Sequence, residues 1–437
     1  MARAQMMFPA DFLWGTATSA YQVEGNNENS DWWAWEQVDG RILRNQKSGP
    51  ACNWWANAEA DLDRAAEMGN NAHRLSLEWS RIEPEPGRID KAALDRYREI
   101  LTAAHNRGME PMVTLHHFSN PLWLVEKGDF NSGIVVEYFQ RYVTAVVQAL
   151  GDLIPKWITI NEPMVYVTER YLTRTFPAPQ KTGWGAALEA TRNLLRCHAA
   201  AYHVIKEAYP AAAVSVAKNF PIFQGKRHLV DRWWAGRLDW LFNRLWLGAM
   251  VDGRLRWPLG RGKIKGLAGT FDFVGVNYYS RYYVKFPPPA GFVERDWGPE
   301  AMVSDGNYGE LYPAGLFQVI NRARKYGKPI YITENGLPDE ADELRPQFLL
   351  THLREIWRAI SFNYPVMGYY HWSLVDNFEW DRGWTQRFGL IALDVATQER
   401  IWRESGRLYA EICFGNCISS EMAEKYAPQL METMFRG

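Results

Sequence analysis

Short apolar segments alternate with amphipathic helical segments along nearly the whole chain, and this alternation limits the fold more than any other feature. Helical spacing of apolar residues predicts helices over residues 57–68, 91–106, 134–150, 185–209 and 346–362. Because parallel strands need a crossover between them, repeated strand–helix units indicate a parallel sheet covered by helices. The predicted strands cover residues 12–16, 72–77, 110–115, 156–160, 213–217, 273–276, 330–333 and 366–370.

Eight such units favour a closed (β/α)8 barrel, an α/β fold. The alternative is an open doubly wound sheet, whose first strand is usually followed by a glycine-rich phosphate loop. Residues 15–25 lack the GxGxxG spacing of that loop, so the barrel is favoured. We expect residues 1–437 to form a single barrel domain with a short helical tail from about residue 415 to 437, in which residues 419–435 form one helix.

The charge balance excludes several classes of partner. Lys and Arg number 49 against 50 Asp and Glu, which gives no electrostatic reason to expect nucleic acid or an anionic membrane as a partner. No apolar run is long enough for a membrane span, and residues 1–11 lack the apolar core of a signal peptide, so a cytoplasmic location is expected. Cys52, Cys197, Cys413 and Cys417 are too scattered for a disulfide framework or a zinc site. Assembly into a homo-oligomer is compatible with these features.

Aromatic residues are unusually frequent, with 21 Trp, 21 Tyr and 20 Phe. Any single tryptophan is best explained as part of a large core. As a population, however, these residues favour a carbohydrate-binding cleft, because their rings stack on the C–H faces of sugars while their polar atoms bond hydroxyls.

Polar side chains follow most of the predicted strands. In a barrel enzyme the chemistry lies at the carboxyl ends of the strands, so these residues are candidates for the site. His116 and His117 are adjacent on a strand and should point in opposite directions, which argues against a metal-binding pair. His117 alone is equally well explained as a hydrogen-bonded barrel histidine.

Glu162 and Glu334 stand out because each ends a short apolar strand, where a carboxylate is costly unless it is paired or functional. The alternative is that each pairs with an arginine or caps a helix. Asn161-Glu162-Pro163 fits a helix start, with proline in the first turn. Both glutamates together, on the fourth and seventh strands, favour catalysis.

Four motifs together resemble glycoside hydrolase family one, over residues 8 to about 414. Residues 12–25 (FLWGTATSAYQVEG) resemble its N-terminal signature, and residues 160–163 (INEP) resemble its acid/base motif. Residues 332–336 (ITENG) resemble its nucleophile motif, and residues 372–380 (WSLVDNFEW) resemble its sugar-binding loop. The resemblance implies a retaining exo-β-glycosidase that acts on small β-glycosides or oligosaccharides and needs no cofactor or metal.

The resemblance also implies roles for individual residues. Glu162 is the general acid and then the base, and Glu334 is the nucleophile, kept ionised by Arg74 and the Tyr278 hydroxyl. Asn161 binds the sugar 2-hydroxyl, Trp372 lies under the ring, and Asn277 supports the site. The remaining hydroxyls are held by Gln22, His117, Glu379 and Trp380.

Departures from the family pattern narrow the substrate. Residues 119–121 read Ser-Asn-Pro where many members have Asp-Leu-Pro, which alters the aglycone side. Glu379-Trp380 is intact, which disfavours a 6-phosphorylated sugar, and Glu162 indicates an ordinary O-glycosidase. Residues 29–33 and 339–346 look more like a broad-specificity archaeal-type branch that accepts glucosides, galactosides and fucosides.

Several other activities are compatible with the same barrel and the same motifs. They are a β-galactosidase or β-fucosidase and a transglycosidase. A non-catalytic sugar-binding barrel is disfavoured because both glutamates are present, and a metal-dependent hydrolase is disfavoured because no set of ligands has the right spacing.

Overall fold

The structure, a computed structural model, describes residues 4–287 and 293–435. In that part of the chain, parallel strands close into a barrel in which each strand pairs with the next one along the chain and the last pairs with the first. This confirms the predicted (β/α)8 barrel. The eight strands are β1 (Leu13–Ala17), β2 (Ala72–Ser76), β3 (Glu110–His116), β4 (Lys156–Asn161), β5 (Ala213–Asn219), β6 (Val274–Asn277), β7 (Ile330–Asn335) and β8 (Val366–Trp372).

Helices surround the barrel. They are α1 (Trp54–Glu67), α2 (Lys91–Asn106), α3 (Val135–Leu150), α4 (Trp184–Ala208), α5 (Leu229–Asp239), α6 (Leu245–Asp252), α7 (Pro313–Ala323), α8 (Arg345–Ser361) and α9 (Glu404–Gly415). The predicted helix over residues 91–106 matches α2 at both ends. The prediction for α3 differs by one residue at its start, and those for α4 and α8 differ by one residue at each end. No helix among the described residues is both long and apolar enough to cross a membrane.

Shorter elements lie in the loops. The short helices are Ala20–Val23, Asp31–Glu36, Trp79–Ile82, Leu122–Glu126 and Pro163–Val167. Two-stranded pairs form between Ile222–Gly225 and Arg281–Val284 and between Ile391–Leu393 and Arg400–Trp402.

The tail departs from the prediction of one helix over residues 419–435. Two helices are present, Ser420–Tyr426 and Met431–Phe435, separated by the 3-10 turn Pro428–Leu430. Pro428 explains the break, because proline lacks the N–H that a continuing helix needs. The strand Cys417–Ser419 before the first of these helices pairs antiparallel with Gln5–Met7.

The register of the strands collects polar side chains at one rim. A small apolar cluster fills the barrel interior, and a larger core lies between the strands and the helices. At the carboxyl ends, Asn161 lies opposite Ala217, Asn219 lies opposite Asn277, and Asn277 lies opposite Glu334. Strands β4 to β7 therefore present their last residues next to one another.

A buried ionic cluster ties three of the loops above this rim together. The Arg170 guanidinium lies 2.7 Å from an Asp31 carboxylate oxygen and 2.6 Å from one of Asp129. The Asn120 backbone N–H donates to Asp31 over 2.9 Å. Asp31, Asn120 and Arg170 follow β1, β3 and β4, so this cluster fixes the loops that surround the site. Burial outweighs the nearby Arg170 charge and raises the pKa of Asp31 to about 6.

We expect Arg170→Met to lower the free energy of unfolding by about 3–5 kcal/mol, because it leaves two buried carboxylates without their shared cation. Urea denaturation at neutral pH measures the loss. The matched control is Arg192→Met, which removes a partly exposed guanidinium paired with Glu189 on α4 and should cost less than about 1 kcal/mol. Equal losses in the two variants would contradict the role given to Arg170.

Candidate active site

Glu162 occupies a strained backbone position where β4 turns into the helix Pro163–Val167. Its φ and ψ are 40° and 58°, in the left-handed region that residues other than glycine seldom adopt. It is the N-cap residue of that helix, with proline in the first turn, as the helix-start alternative anticipated. Its side chain nevertheless makes no capping hydrogen bond, so the carboxyl is free to face the site. Strain of this kind collects at functional positions.

Two amides hold the Glu162 carboxyl. Its Oε1 accepts hydrogen bonds from Asn277 Nδ2 at 2.8 Å and from Asn219 Nδ2 at 3.1 Å. Burial, followed by the negative charge of Glu334, raises the pKa of Glu162 to about 7. The carboxyl therefore keeps its proton up to neutral pH, as a general acid requires.

Glu334 lies in a different environment at the end of β7. Its Oε1 accepts a hydrogen bond from the Arg74 guanidinium at 2.6 Å, and its Oε2 accepts one from the Tyr279 hydroxyl at 2.6 Å. Burial, and then the charge of Glu334, raise the pKa of Tyr279 well above its usual value, so the hydroxyl stays a donor. A cation and a charge-directed hydrogen bond both favour the carboxylate form of Glu334.

The tyrosine at Glu334 is Tyr279, and the expectation that Tyr278 would hold this carboxylate is wrong. The Tyr278 hydroxyl donates instead to the backbone carbonyl of Tyr312 at 2.6 Å, outside the site. Successive residues of a strand face opposite sides, so a residue two positions after the inward Asn277 is the one that faces inward. Applied to the pair of tyrosines after β6, this alternation would have selected Tyr279.

The two glutamates belong to one hydrogen-bonded network. Arg74 bonds Glu334 and also donates to Asn161 Oδ1 at 2.7 Å. Asn277 bonds Glu162 and lies 3.2 Å from the same Asn161 oxygen. Arg74, Asn161 and Asn277 therefore hold the two carboxyl groups in a fixed relation. The sequence prediction included all three but missed Asn219.

Glu379 faces the same region from the loop after β8. Gln22 Nε2 donates to Glu379 Oε2 at 3.0 Å and to Asn377 Oδ1 at 3.1 Å. Burial, and then the charge of Asp381, raise the pKa of Glu379 to about 8, while the Gln22 hydrogen bond acts in the opposite direction. Gln22 therefore fixes the position of the Glu379 carboxyl with its side-chain amide.

His117 carries a hydrogen-bonding atom that a ligand could satisfy. Its Nε2 lies 3.0 Å from the Asn161 amide nitrogen, and its ring stacks against Trp372 and Trp380, with centroids 5.9 Å away in each case. Burial, and then the charge of Arg74, lower its pKa well below the usual value. With Nε2 accepting, Nδ1 carries the proton, and within the described residues Nδ1 is buried with no partner. His117 Nδ1 is therefore an unsatisfied donor in the described part of the chain.

His116 points away from the site, as predicted for neighbours on a strand. Its Nε2 lies 3.0 Å from Asn120 Oδ1, and its ring meets Phe130 and Tyr166 edge-on. The part of the chain that the structure describes contains no group of three or more His, Cys, Asp or Glu residues placed to hold a metal ion.

Comparison with known proteins identifies the family of this chain. The family model described as Glycosyl hydrolase family 1 matches residues 4–417. Beta-glucosidase A of Thermotoga maritima is 32% identical over 443 residues, covering 94% of this chain and 98% of that protein. The beta-galactosidase of Pyrococcus woesei is 31% identical and covers 96% and 99%. The solved structure of a beta-glycosidase from Pyrococcus horikoshii has a TM-score of 0.88 and 36% identity, covering 97% of this chain and 98% of that one. The chain belongs to glycosyl hydrolase family 1.

Proposed function

We propose that this protein is a retaining exo-β-glycosidase that hydrolyses terminal β-D-glucosyl residues and also accepts galactosyl and fucosyl residues. The observation that carries the proposal is the contrast between two buried glutamates in one network. Burial raises the pKa of Glu162 to about 7, whereas Glu334 lies against the Arg74 guanidinium and the Tyr279 hydroxyl. Two carboxyls whose surroundings favour opposite protonation states suit acid and nucleophile roles.

The first half of the reaction forms an ester. A Glu334 carboxylate oxygen attacks the anomeric carbon, the glycosidic C–O bond breaks, and the Glu162 proton passes to the departing oxygen. We propose that Asn161 bonds the sugar 2-hydroxyl, a contact that strengthens in the transition state.

The second half restores the enzyme. Glu162, now a carboxylate, takes a proton from water as the water oxygen bonds to the anomeric carbon and the ester to Glu334 breaks. Two displacements at one carbon retain its configuration, which needs the carboxyl groups about 5–5.5 Å apart. The short chain of contacts through Arg74, Asn161 and Asn277 supports this arrangement.

The substrate class follows from the sugar-side residues. We propose that Gln22, His117 and Glu379 bond the hydroxyls of the sugar and that Trp372 lies under its ring. Trp380 packs against Trp32 and Phe118, with ring centroids 4.9 and 5.2 Å away, and this dense packing supports a sugar site that is closed at one end and cleavage from a chain end. We therefore propose small β-glycosides or oligosaccharides as ligands.

A β-galactosidase or a transglycosidase is the second candidate, and the Pyrococcus woesei relative named beta-galactosidase favours the first of these. Ratios of kcat/KM for aryl glucoside, galactoside and fucoside decide the glycone. We also propose that residues 1–437 form one catalytic domain. Pairing of Gln5–Met7 with Cys417–Ser419 joins the two ends of the chain and supports this. A cytoplasmic location and a homo-oligomer stay predictions.

We expect Glu334→Gly to reduce hydrolysis of an aryl β-glucoside by about 10⁴-fold or more, because the nucleophile is lost. Circular dichroism checks that the barrel persists, and Glu343→Gly, an exposed position in the loop after the same strand, is the matched control. Added azide, a small anion that fits the vacated space, should restore turnover and give an α-glycosyl azide. Substantial turnover without azide would sink the nucleophile assignment.

Glu162→Gln should reduce kcat/KM by about 10²–10⁴-fold for an alkyl β-glucoside, whose leaving group needs protonation. A dinitrophenyl β-glucoside leaves without a proton and should lose much less in its first step. Steady-state and burst kinetics on both substrates measure the difference. Equal losses on the two would argue against the acid role.

In the unmodified enzyme, kcat/KM for an alkyl glucoside should fall on the alkaline side with an apparent pKa near 7. The protonated Glu162 is the active acid, and its proton is lost as the pH rises through that value. A pH series from 5 to 9 in one ionic-strength buffer set, about 0.15 M, provides the profile. The Glu162→Gln variant should lack this limb. A profile still flat at pH 9 would be incompatible with the assignment.

A further inference from the structure

A buried lysine lies behind Glu162 and takes no part in the mechanism above. Lys218 is the penultimate residue of β5, and its exposed fraction is 0%. Ala217 belongs to the cluster inside the barrel, and neighbouring strand residues face opposite sides. The Lys218 side chain therefore faces the helical layer, while Asn219 faces the interior.

The surroundings of Lys218 are aromatic. Its Nζ donates to the backbone carbonyl of Asn219 and lies 4.5 Å from the ring centroid of Phe242 and 5.3 Å from that of Phe220. Within residues 4–287 and 293–435 this ammonium forms no ion pair. Aromatic faces attract a cation but do not replace a carboxylate, and a buried ion costs several kcal/mol. A methionine would fill the same space without that cost, so stability alone does not explain the charge.

Asn219 connects Lys218 to Glu162. The residue whose carbonyl Lys218 holds, Asn219, donates its side-chain amide to Glu162 Oε1 at 3.1 Å. Burial lowers the pKa of Lys218 to about 7, and the negative charges of Glu162 and Asp239 act against that shift. Asp239, at the end of α5, is itself paired with Arg244 and Arg322, which leaves Glu162 as the nearby carboxyl that has no ion pair among the described residues.

We propose that Lys218 is a positioning residue for the acid/base Glu162. Its ammonium fixes the Asn219 carbonyl, and with it the amide that donates to Glu162, and its positive charge favours the carboxylate form of Glu162. That form is the one that takes the proton from water in the second half of the reaction. The inference rests on the proposed function, because it takes Glu162 to be the group that transfers the proton.

The test is the pH dependence of kcat/KM for an alkyl β-glucoside. Lys218→Met removes the charge at nearly constant volume and should move the alkaline limb upward by about half a pH unit or more, less than the 1–3 units of a charge in direct contact. Lys218→Gln also lacks the charge but can still donate to the Asn219 carbonyl. Lys218→Gln should show the same shift as Lys218→Met but lose less activity at pH 5.5. This difference separates the effect of the charge from the effect of holding the Asn219 carbonyl.

Lys156→Met is the matched control. Lys156 begins β4 at the opposite end of the barrel, where it pairs with Glu110 and lies 5.4 Å from the Tyr331 ring centroid. The Lys156→Met substitution removes a comparable cation far from Glu162, so the alkaline limb of this variant's pH profile should coincide with that of the unmodified enzyme.

Thermal denaturation separates a positioning role from a structural one. We expect the melting temperature of Lys218→Met to equal or exceed that of the unmodified enzyme, because an unpaired buried charge is removed. An unmoved limb in both uncharged variants, with or without a lower melting temperature, overturns the proposal. If Glu162→Gln keeps the alkaline limb, the acid assignment itself is wrong. If Glu162→Gln loses the limb and the Lys218 variants keep it in place, only the present inference is wrong.

Discussion

The site depends on one buried guanidinium. Arg74, on β2, has no exposed surface and donates to Thr114 on β3, to Asn161 on β4 and to both the backbone of Thr333 and the carboxylate of Glu334 on β7. A charge with no access to water must be fully hydrogen-bonded and paired. Arg74 meets that requirement only when these four strands are in their observed register, so closure of the barrel and the placement of Glu334 depend on the same condition.

The same burial gives the two glutamates their different chemistry. Both are nearly inaccessible, but Glu334 has a cation beside it, whereas Glu162 has two neutral amides and the negative charge of Glu334. Desolvation therefore favours the protonated form of Glu162. Family membership and this contrast point to the same double displacement.

Strand positions and the place of the two buried carboxyls could be predicted from sequence, because apolar runs and the residues after them are local signals. Glu162, Glu334 and Arg74 lie at or within such runs. The Tyr278 error came from taking the first tyrosine after β6 without applying the alternation of strand faces. Asn219 and Lys218 gave no local signal, because their roles depend on which strand lies beside β4 and on what packs behind it.

The ends of helices, too, could be predicted only where the signal lies within the segment itself. Helix α2 was predicted at both ends, since its apolar spacing and the glycine after it act within the segment itself. The tail was predicted as one helix, but Pro428 in its middle divides it into two. The ionic cluster around Arg170 unites residues from loops far apart in the chain, a relation that no periodicity reveals.

The most direct test of the central claim is a proton NMR time course with an aryl β-D-glucoside, following the anomeric signal of the first sugar released. The double displacement predicts that β-glucose appears first and that the α-anomer accumulates only by later mutarotation. If the α-anomer appears first, the reaction inverts configuration and Glu334 is not the nucleophile. Release of no sugar from glucoside, galactoside or fucoside would contradict the assignment of this barrel as a β-glycosidase.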